Sequence, residues 1–273
     1  MTVLPDFPVE TYDDMLPVDF EVPPVNPAPG GLYAATFWTE VAADEPSRHL
    51  TGVQVRPAGN YSGSDAFGVW HADWCAVPPL NTTPRKEGDR PTGLDPFEPM
   101  TVWAYDECDL TAPSRAEVEQ RAVQVMRLEE QVAVEREFAE RLKFDANDLP
   151  GTIDTLADLV LAIGYLEAHL ALTNTVGFIH LGAQWAAVAA SSQILNRSGT
   201  KMVTPLGHTL VFGGGYVDGL QNTLVATSQP FGWRDRVQLR TTIDERRNTF
   251  AAIAERTVLV GYEAVVAAVE ITG

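Results

Sequence analysis

The chain has 273 residues, of which 45% are hydrophobic and 21% are charged, close to the averages of soluble globular proteins. It carries 37 acidic and 19 basic side chains, a formal net charge of −18, and this balance excludes a general nucleic-acid binder, which needs a basic face. With two cysteines, no basic-then-apolar leader and no apolar run of about 18 residues, the sequence predicts neither a disulfide scaffold nor an exported or membrane-spanning protein.

Residues 1–47 combine many prolines and acidic residues with large apolar side chains, among them Leu4, Phe7, Tyr12 and Phe20. Proline at this density excludes long helices and central strands. The apolar side chains are nevertheless too frequent for a simple linker. The segment therefore predicts an extended arm that finds its contacts on another surface, with a disordered tail as the alternative.

Residues 48–112 are rich in β-branched and aromatic residues and predict strands in "LTGVQVRP", "AFGVWHADWCAV" and "MTVWAYDEC". A polar, proline-broken segment separates the last two, and we expect it either to be disordered or to reach a neighbour. Cys75 and Cys108 approach each other only if their strands pair, and a cytosol would keep both reduced.

Residues 114–143 predict one helix of about 45 Å, far longer than the average helix. Ser114 and Glu117 fit a capping box at its start. The remaining glutamates are interpreted as a solvated face. The predicted apolar stripe contains Val118, Ala122, Val125, Val132 and Leu142, and the predicted ion pairs include Glu117–Arg121 and Glu137–Arg141.

Residues 152–173 predict a second helix with Asp154 near its start, and its nearly all-round apolar character indicates burial. "GFIHL" predicts a strand, "AQWAAVAASSQIL" a third helix, and "GTKMVTPLGHTLVFGGGY" short strands and turns. The closing "ERTVLVGYEAVVAAVEI" fits strands with a turn near Gly261, although its alanines leave a helix open.

The glycine triplet at 213–215 looks at first like a phosphate-binding loop. However, it lacks the G-x-G-x-x-G pattern at a strand-to-helix junction, and no GK[ST] follows it. We therefore predict a turn or bulge in which glycine permits a positive φ.

No catalytic, metal or cofactor site is predicted. His71, Asp73 and Cys75 alternate along one predicted strand, but no second cluster of metal ligands supports them, which favours a half-exposed strand face. His180 and His208 stand alone in apolar surroundings and are interpreted as structural. Other candidates for catalysis are Ser191 and Ser192, which have no evident base.

An apolar arm, a long loop and an overlong helix, in this order, resemble the major capsid proteins of tailed bacteriophages, which have the Hong Kong 97-type fold. The stretches "AIGYLEAHLA", "TVGFIHLGAQWAAVAA" and "NRSGTKMVTPLGHTLVFGGGY" are similar to the axial domain of capsid proteins from actinobacterial phages. "MTVWAYDECDL", directly before the long helix, also resembles that group.

The resemblance implies an α+β fold with an N-terminal arm, an extended β-hairpin loop, a peripheral domain with a long spine helix, and an axial domain. The corresponding limits are 1–47 for the arm, 48–112 for the loop and its flanking strands, 113–175 for the peripheral domain, 176–246 for the axial domain, and 247–273 for strands that return to the peripheral or axial sheet.

The resemblance also implies assembly of many copies into hexamers and pentamers around double-stranded DNA, without sequence-specific binding. Portal, scaffold or protease proteins, and a decoration protein, are the implied partners, and the virion, assembled in the bacterial cytoplasm, is the implied location. Arg85, Lys86 and Arg90 near the loop tip become inter-subunit contacts. Lys86 is the only lysine of the loop, and Asn248 of a neighbour is a conceivable partner for the covalent crosslink that some members form.

Two other classes stay open. An encapsulin-type nanocompartment shares the fold and encloses cargo enzymes, although encapsulins usually begin with a helix rather than a proline-rich arm. A soluble binding protein or an enzyme with an unrecognised site is the second alternative.

Overall fold

The computed structural model describes residues 20–41, 48–61, 67–69, 86–88 and 92–272. These residues form two β-sheets and five α-helices, none of which is long and apolar enough to cross a bilayer. The helices are α1 (Gly31–Ala35), α2 (Ala112–Asn147), α3 (Leu159–Thr173), α4 (Ala186–Ser191) and α5 (Tyr216–Gly219). The strands are β1 (Phe37–Glu40), β2 (Met100–Asp109), β3 (Asp154–Leu156), β4 (Phe178–Gly182), β5 (Asn196–Ser198), β6 (Lys201–Val203), β7 (Thr209–Gly213), β8 (Thr223–Thr227), β9 (Phe231–Arg234), β10 (Gln238–Asp244), β11 (Thr249–Gly261) and β12 (Val265–Ile271).

The long helix α2 has 36 residues and a length of about 54 Å. The helix begins before Ser114, so the predicted capping box of Ser114 and Glu117 is wrong. Thr111 is the N-cap, and its hydroxyl oxygen accepts the N–H of Ser114 at 3.4 Å. Pro113 is tolerated in the first turn because an N–H there has no partner within the helix.

The buried side of α2 follows a repeat of four residues. Val125 is exposed and Val132 only half-buried, so these two members of the predicted stripe are wrong. Four residues advance by about 400° around a helix, so the stripe turns by about 40° at each step and faces different neighbours at the two ends. The repeat comprises Val118, Ala122, Met126, Glu130, Val134, Phe138, Leu142 and Ala146.

The first half of α2 packs on a five-stranded sheet. In this sheet β2 and β10 flank β11 in antiparallel register, β9 pairs with the end of β11, and β1 runs parallel to β9. β2 confirms the strand predicted in "MTVWAYDEC". Val118 and Ala122 of the helix pack against Ala104 of β2 and Ala252 of β11. On the opposite face of this sheet, Trp103 and Tyr105 of β2 are exposed.

The second sheet has seven strands in the order β3-β12-β8-β4-β7-β6-β5. Successive side chains of a strand point to opposite faces. Ile179 of β4 packs with α3, whereas Phe178 packs with the second half of α2. Helices therefore cover both faces of this sheet. The strands predicted for "GFIHL" and on either side of Gly261 are confirmed as β4, β11 and β12.

Helix α3 differs from the prediction at its start and on its surface. The carboxylate of Asp158 caps it by accepting the N–H of Leu161 at 2.9 Å, and Asp154 lies earlier, in β3. The expected all-round burial is wrong for the single chain, because Leu161 is 53% exposed and Leu172 is 83% exposed. The third predicted helix is shorter than expected and consists of a 3-10 turn followed by α4.

The predicted arm at 1–47 ends too late. Residues 1–19 and 42–47 lie outside the described residues, but α1 and β1 belong to the folded body, where Leu32 is fully buried and β1 pairs with β9. Between residue 20 and α1, the chain runs along α2. The side-chain amide of Gln124 donates to the carbonyl oxygen of Val25, and that of Gln131 donates to the carbonyl oxygen of Gly30, each at 2.8 Å.

The two legs of the predicted loop lie side by side at its base. Val53 and Phe97 exchange backbone hydrogen bonds of 3.0 and 2.9 Å. This single bridge replaces the strand predicted in "LTGVQVRP", and most of the strand predicted in "AFGVWHADWCAV" lies outside the described residues. The β-hairpin of the loop thus stays a prediction.

The two sheets combine strands from different parts of the expected domain limits, which stay a prediction. β9 and β10, expected in the axial domain at 176–246, pair with β11 in the sheet that also contains β2. β3 and α3, expected in the peripheral domain at 113–175, belong with the seven-stranded sheet. The final strands separate, since β11 lies in one sheet and β12 in the other. The composition of each sheet depends on pairing between strands that are distant in sequence, and the order of the elements along the chain does not predict that pairing.

Candidate functional site

The glycine triplet at 213–215 lies against the middle of α2. None of the three has a positive φ, so the expected reason for glycine is wrong. A Cβ on Gly215 would lie 2.2 Å from the carbonyl oxygen of Val132 and 2.8 Å from the backbone nitrogen of Arg136. A Cβ on Gly214 would have 3.4 Å to its nearest neighbour, the side chain of Val132. Close approach of the chain to a helix backbone is therefore what requires glycine, above all at 215.

The triplet does bind an oxyanion, and that oxyanion is a side chain of the same molecule. The N–H of Gly215 donates to Oε2 of Glu135 at 2.9 Å, and the N–H of Leu32 donates to Oε1 at 2.9 Å. Burial raises the pKa of Glu135, and the N–H groups of Leu32, Gly215 and Gly214 oppose that shift. Amides that a phosphate would need are thus already engaged, and the buried carboxylate fastens α1 and the glycine turn to α2.

A second buried carboxylate, Glu130, fastens α2 to the five-stranded sheet. The guanidinium of Arg256 donates to both oxygens of Glu130 at 2.6 Å, and the hydroxyl of Tyr33 donates to Oε1 at 2.5 Å. Burial raises the pKa of Tyr33, and the neighbouring Glu130 raises it further. Two-pronged arginine–carboxylate pairs combine strength with fixed geometry, so this contact sets the position of the helix on β11.

A third carboxylate, Asp145, works in the same way near the end of α2. Its Oδ2 accepts from Nε of Arg141 at 2.8 Å and from the hydroxyl of Tyr262 at 2.6 Å. The guanidinium of Arg141 also donates to the carbonyl oxygen of Asp95 at 2.6 Å and lies 4.1 Å from the ring centre of Phe97. The base of the loop and the turn before β12 are thereby joined to the helix.

The predictions made from the sequence for these carboxylates and for Arg141 are wrong. Glu130 and Glu135 were interpreted as part of a solvated face, and Arg141 was paired with Glu137 instead of Asp145. The pair Glu117–Arg121 is confirmed at 3.5 Å on the surface. One signal was available, since Glu130 lies four residues from both Met126 and Val134 and thus within the apolar repeat.

His180 is locked in a neutral structural role. The hydroxyl of Thr227 donates its hydrogen to the carbonyl oxygen of Ser228. The Thr227 oxygen must therefore accept the hydrogen bond of 2.9 Å from Nε2 of His180. This leaves Nδ1 of His180 without a hydrogen, and it accepts from the hydroxyl of Tyr216 at 3.0 Å. Desolvation lowers the pKa of His180 to about 3.

His208 is also buried. Its Nδ1 accepts the N–H of Gly177 at 3.2 Å, which assigns the ring hydrogen to Nε2, and burial lowers its pKa while Glu167 opposes the shift. Among the described residues, no group forms a hydrogen bond with Nε2 of His208. The hydroxyl of Ser191 donates to the carbonyl oxygen of Val188. Within the described ranges, no three metal-binding side chains converge.

The predicted contact residues lie apart from this buried region or outside the described residues. Lys86 is exposed, whereas Arg85 and Arg90 fall outside. Asn248 is exposed in the turn between β10 and β11, with a φ of 55°. Phe20 is 82% exposed. Cys108 is an exposed free thiol on β2. The residues of the predictions that lie outside the described ranges are Leu4, Phe7, Tyr12, His71, Asp73 and Cys75.

Comparison with known proteins yields structural matches only, since no protein-family model and no curated protein matches the chain. The capsid of Ralstonia phage GP4 matches with a TM-score of 0.50 at 8% identity over 100% of this chain and 99% of that one. The holo-SrpI encapsulin complex of Synechococcus elongatus matches with a TM-score of 0.52 at 11% identity over 93% and 92%. At such identities the matches establish the fold alone, and the α+β fold of phage capsids expected from the sequence is confirmed.

Proposed function

We propose that this chain is the major capsid protein of a tailed bacteriophage, which assembles as hexamers and pentamers into an icosahedral shell around double-stranded DNA. The observation that carries the proposal is the likeness to the Ralstonia phage GP4 capsid, which extends over essentially the full length of both chains. The sequence resemblance to capsid proteins of actinobacterial phages supports the same conclusion.

The uncovered surfaces of the subunit support assembly. Trp103 of the five-stranded sheet is 65% exposed, and Leu161 and Leu172 of α3 are more than half exposed. Exposed apolar patches often mark protein–protein contact surfaces. A shell supplies each subunit with neighbours on several sides, which would cover both regions.

The described chemistry favours a structural role over a catalytic one. Glu130, Glu135 and Asp145 are engaged by partners within the chain, and His180 is held neutral between two hydroxyls. These groups stabilise packing. Glu130 lies in the wall of a cavity of about 340 Å³, but both of its carboxylate oxygens are engaged by Arg256. We therefore infer that the protein acts by assembly.

The finer assignments remain proposals. Lys86, with Arg85 and Arg90, would contact neighbouring subunits through the loop. A bond between Nζ of Lys86 and the side-chain carbonyl carbon of Asn248 in another copy would release ammonia. Boiling assembled particles in detergent tests it: linked chains migrate as a ladder, and a clean monomer band excludes the bond.

Partners and location follow from the same proposal. A portal protein, a scaffold or protease, and a decoration protein would act with the shell in the virion, after assembly in the bacterial cytoplasm. The acidic chain, with its formal net charge of −18, would enclose DNA without holding it tightly.

Electron microscopy of the expressed protein tests the central claim. We expect closed icosahedral particles in negative stain, either from the chain alone or after addition of a scaffold protein. A stable monomer or small oligomer under all assembly conditions would overturn the proposal and favour a soluble binding protein or enzyme.

An encapsulin-type compartment is the second candidate, and the likeness to the Synechococcus elongatus encapsulin favours it. The two candidates differ in content. Double-stranded DNA, or an attached portal and tail, in particles isolated from their source supports the phage shell. An enclosed enzyme, without DNA, supports the compartment.

A further inference from the structure

A second cavity of about 340 Å³ lies between α1 and the β6–β7 pair of the seven-stranded sheet. Apolar residues form most of its wall, among them Ala34 of α1, Met202 of β6, and Leu210 and Phe212 of β7. Its volume falls within the range of small-molecule pockets, which are mostly apolar and contain a few convergent polar groups. The polar groups of this wall therefore decide which ligand it fits.

Thr209 supplies the first polar group. It lies in the cavity wall and is only 7% exposed. Its backbone N–H donates to the carbonyl oxygen of Gly177 at 3.0 Å, but within the described part of the chain its side-chain hydroxyl forms no hydrogen bond. A buried hydroxyl without a partner is unfavourable. A ligand with a hydrogen-bond acceptor would supply the missing bond.

Lys201 brings a cation to the same place. Thr209 of β7 lies directly opposite Phe178 of β4 on one side and Val203 of β6 on the other, so these three side chains share a face. Lys201 is two residues before Val203 and points to that face as well. Its Nζ lies 5.8 Å from the ring centre of Phe178. To reach this ring from β6, the side chain crosses β7 beside Thr209.

The charge of the wall differs from that of the whole protein. The chain carries 37 acidic side chains and only three lysines, yet no acidic residue lies in the wall that contains Lys201. Among the described residues, the ammonium of Lys201 forms no ion pair. An anionic group is therefore the complement of the polar end of this cavity.

We propose that the cavity binds a medium-chain alkyl carboxylate. The carboxylate accepts hydrogen bonds from the ammonium of Lys201 and the hydroxyl of Thr209, and such charge-assisted bonds are strong. The alkyl chain lies against Ala34, Leu210 and Phe212, where its burial removes apolar surface from water. Because this ligand contacts both α1 and β7, it also holds α1 on the sheet. The inference goes beyond the proposed shell and does not depend on assembly.

Isothermal titration calorimetry of the full-length chain with octanoate tests the site. We expect one octanoate per chain. Octylamine has the same tail with the opposite charge, and acetate has the same head without the tail, so each should bind at least about tenfold more weakly. Absence of octanoate binding, or equal binding of octylamine, would overturn the proposal. A concentration-dependent dimer that Ala34→Phe abolishes, without octanoate binding, would assign the cavity to a second copy instead.

Two substitutions connect the binding to this cavity. Lys201→Met should weaken octanoate binding by about tenfold, since it removes the cation and keeps the length of the side chain. Lys143→Met, on α2 and outside the cavity wall, is the matched control and should leave binding unchanged. Ala34→Phe places a ring in the cavity from an exposed position and should abolish binding. Equal affinities of the two lysine variants would contradict the assigned site.

Thr209→Val separates a role in binding from a role in folding. Because the hydroxyl has no partner among the described residues, its removal should not lower the melting temperature of the chain without ligand, while octanoate should bind several-fold more weakly. Thr227→Val is the control, because the Thr227 hydroxyl is hydrogen-bonded to His180 and Ser228, and it should lower the melting temperature. A similar decrease in both variants would show that Thr209 serves the fold, and would exclude it from the site.

Discussion

The two sheets of this chain differ in how completely their faces are covered. Alternate residues of β4 face α3 and α2, so the seven-stranded sheet is enclosed on both sides. The five-stranded sheet has α2 on one face, while its other face exposes Trp103 and Tyr105. The first sheet is complete within one subunit, and the second has surface left for a neighbour. Both sheets contribute to folding, and in the proposed shell the five-stranded sheet would also take part in assembly.

The largest effect is expected where the covered face of the five-stranded sheet holds α2. Arg256→Met leaves the carboxylate of Glu130 buried without its cation, which should lower the free energy of unfolding by about 3–5 kcal/mol. Arg121→Met is the matched control, because Arg121 pairs with Asp106 at the surface and contributes about 0–1 kcal/mol. Urea unfolding of the subunit, followed by tryptophan fluorescence, measures both. Equal losses would show that the sheet is not anchored by this pair.

The next largest effect is expected at the glycine turn, which follows β7 of the enclosed seven-stranded sheet. Gly215→Ala should destabilise the subunit by about 3 kcal/mol because its Cβ meets the backbone of α2. Gly214→Ala should be neutral within about 0.5 kcal/mol, since its Cβ has room and φ is not positive. Thermal unfolding of the two variants gives the difference, and similar melting temperatures would contradict the close packing.

Low pH should decrease the free energy of unfolding through His180, which lies in the enclosed sheet. Burial lowers its pKa in the folded chain to about 3, so the unfolded chain takes up the proton at higher pH. Stability is therefore lost as pH falls below about 6.5, by about 1.4 kcal/mol per pH unit, or about 2–3 kcal/mol between pH 6 and pH 4. His180→Gln should remove that slope. Unfolding free energies measured against pH for both proteins test it, and parallel curves would exclude His180 as the source.

The smallest effect on subunit stability is expected on the open face. Trp103→Ala should change the free energy of unfolding by less than about 0.5 kcal/mol, because the side chain is mostly exposed. Ile179→Ala, in the enclosed sheet, should lower it by about 2–5 kcal/mol. Assembly should show a different pattern, with Trp103→Ala raising the protein concentration needed to form particles. Normal assembly of Trp103→Ala would mean that this face is not a contact.

Elements with strong local patterns could be predicted from the sequence. The presence of the long helix α2, the strands β2 and β4, and the two strands on either side of Gly261 follow from periodicity, β-branched residues and turns. The segment containing α1 and β1 could not be predicted in this way. Its fold depends on the pairing of Phe37 with Phe231 and on the burial of Leu32, which are contacts distant in sequence.

The buried polar groups of α2 were harder to predict for the same reason. A glutamate on a helix is usually solvated, and only a partner such as Arg256, far along the chain, makes burial of Glu130 favourable. The absence of a nucleotide site at the glycines 213–215 stays a prediction. The reason for glycine there depends on a helix 80 residues away, as the contact between Gly215 and Glu135 records.

Three buried carboxylates attach α2 to its surroundings at separate points along a rod of about 54 Å. Such a rod resists bending and twisting when it is fixed at several places. A load applied to the five-stranded sheet near Glu130 would pass along the helix to Asp145 and into the base of the loop. In the proposed assembly, each subunit should therefore deform little under force from its neighbours. Most of the deformation would then occur at the contacts between subunits.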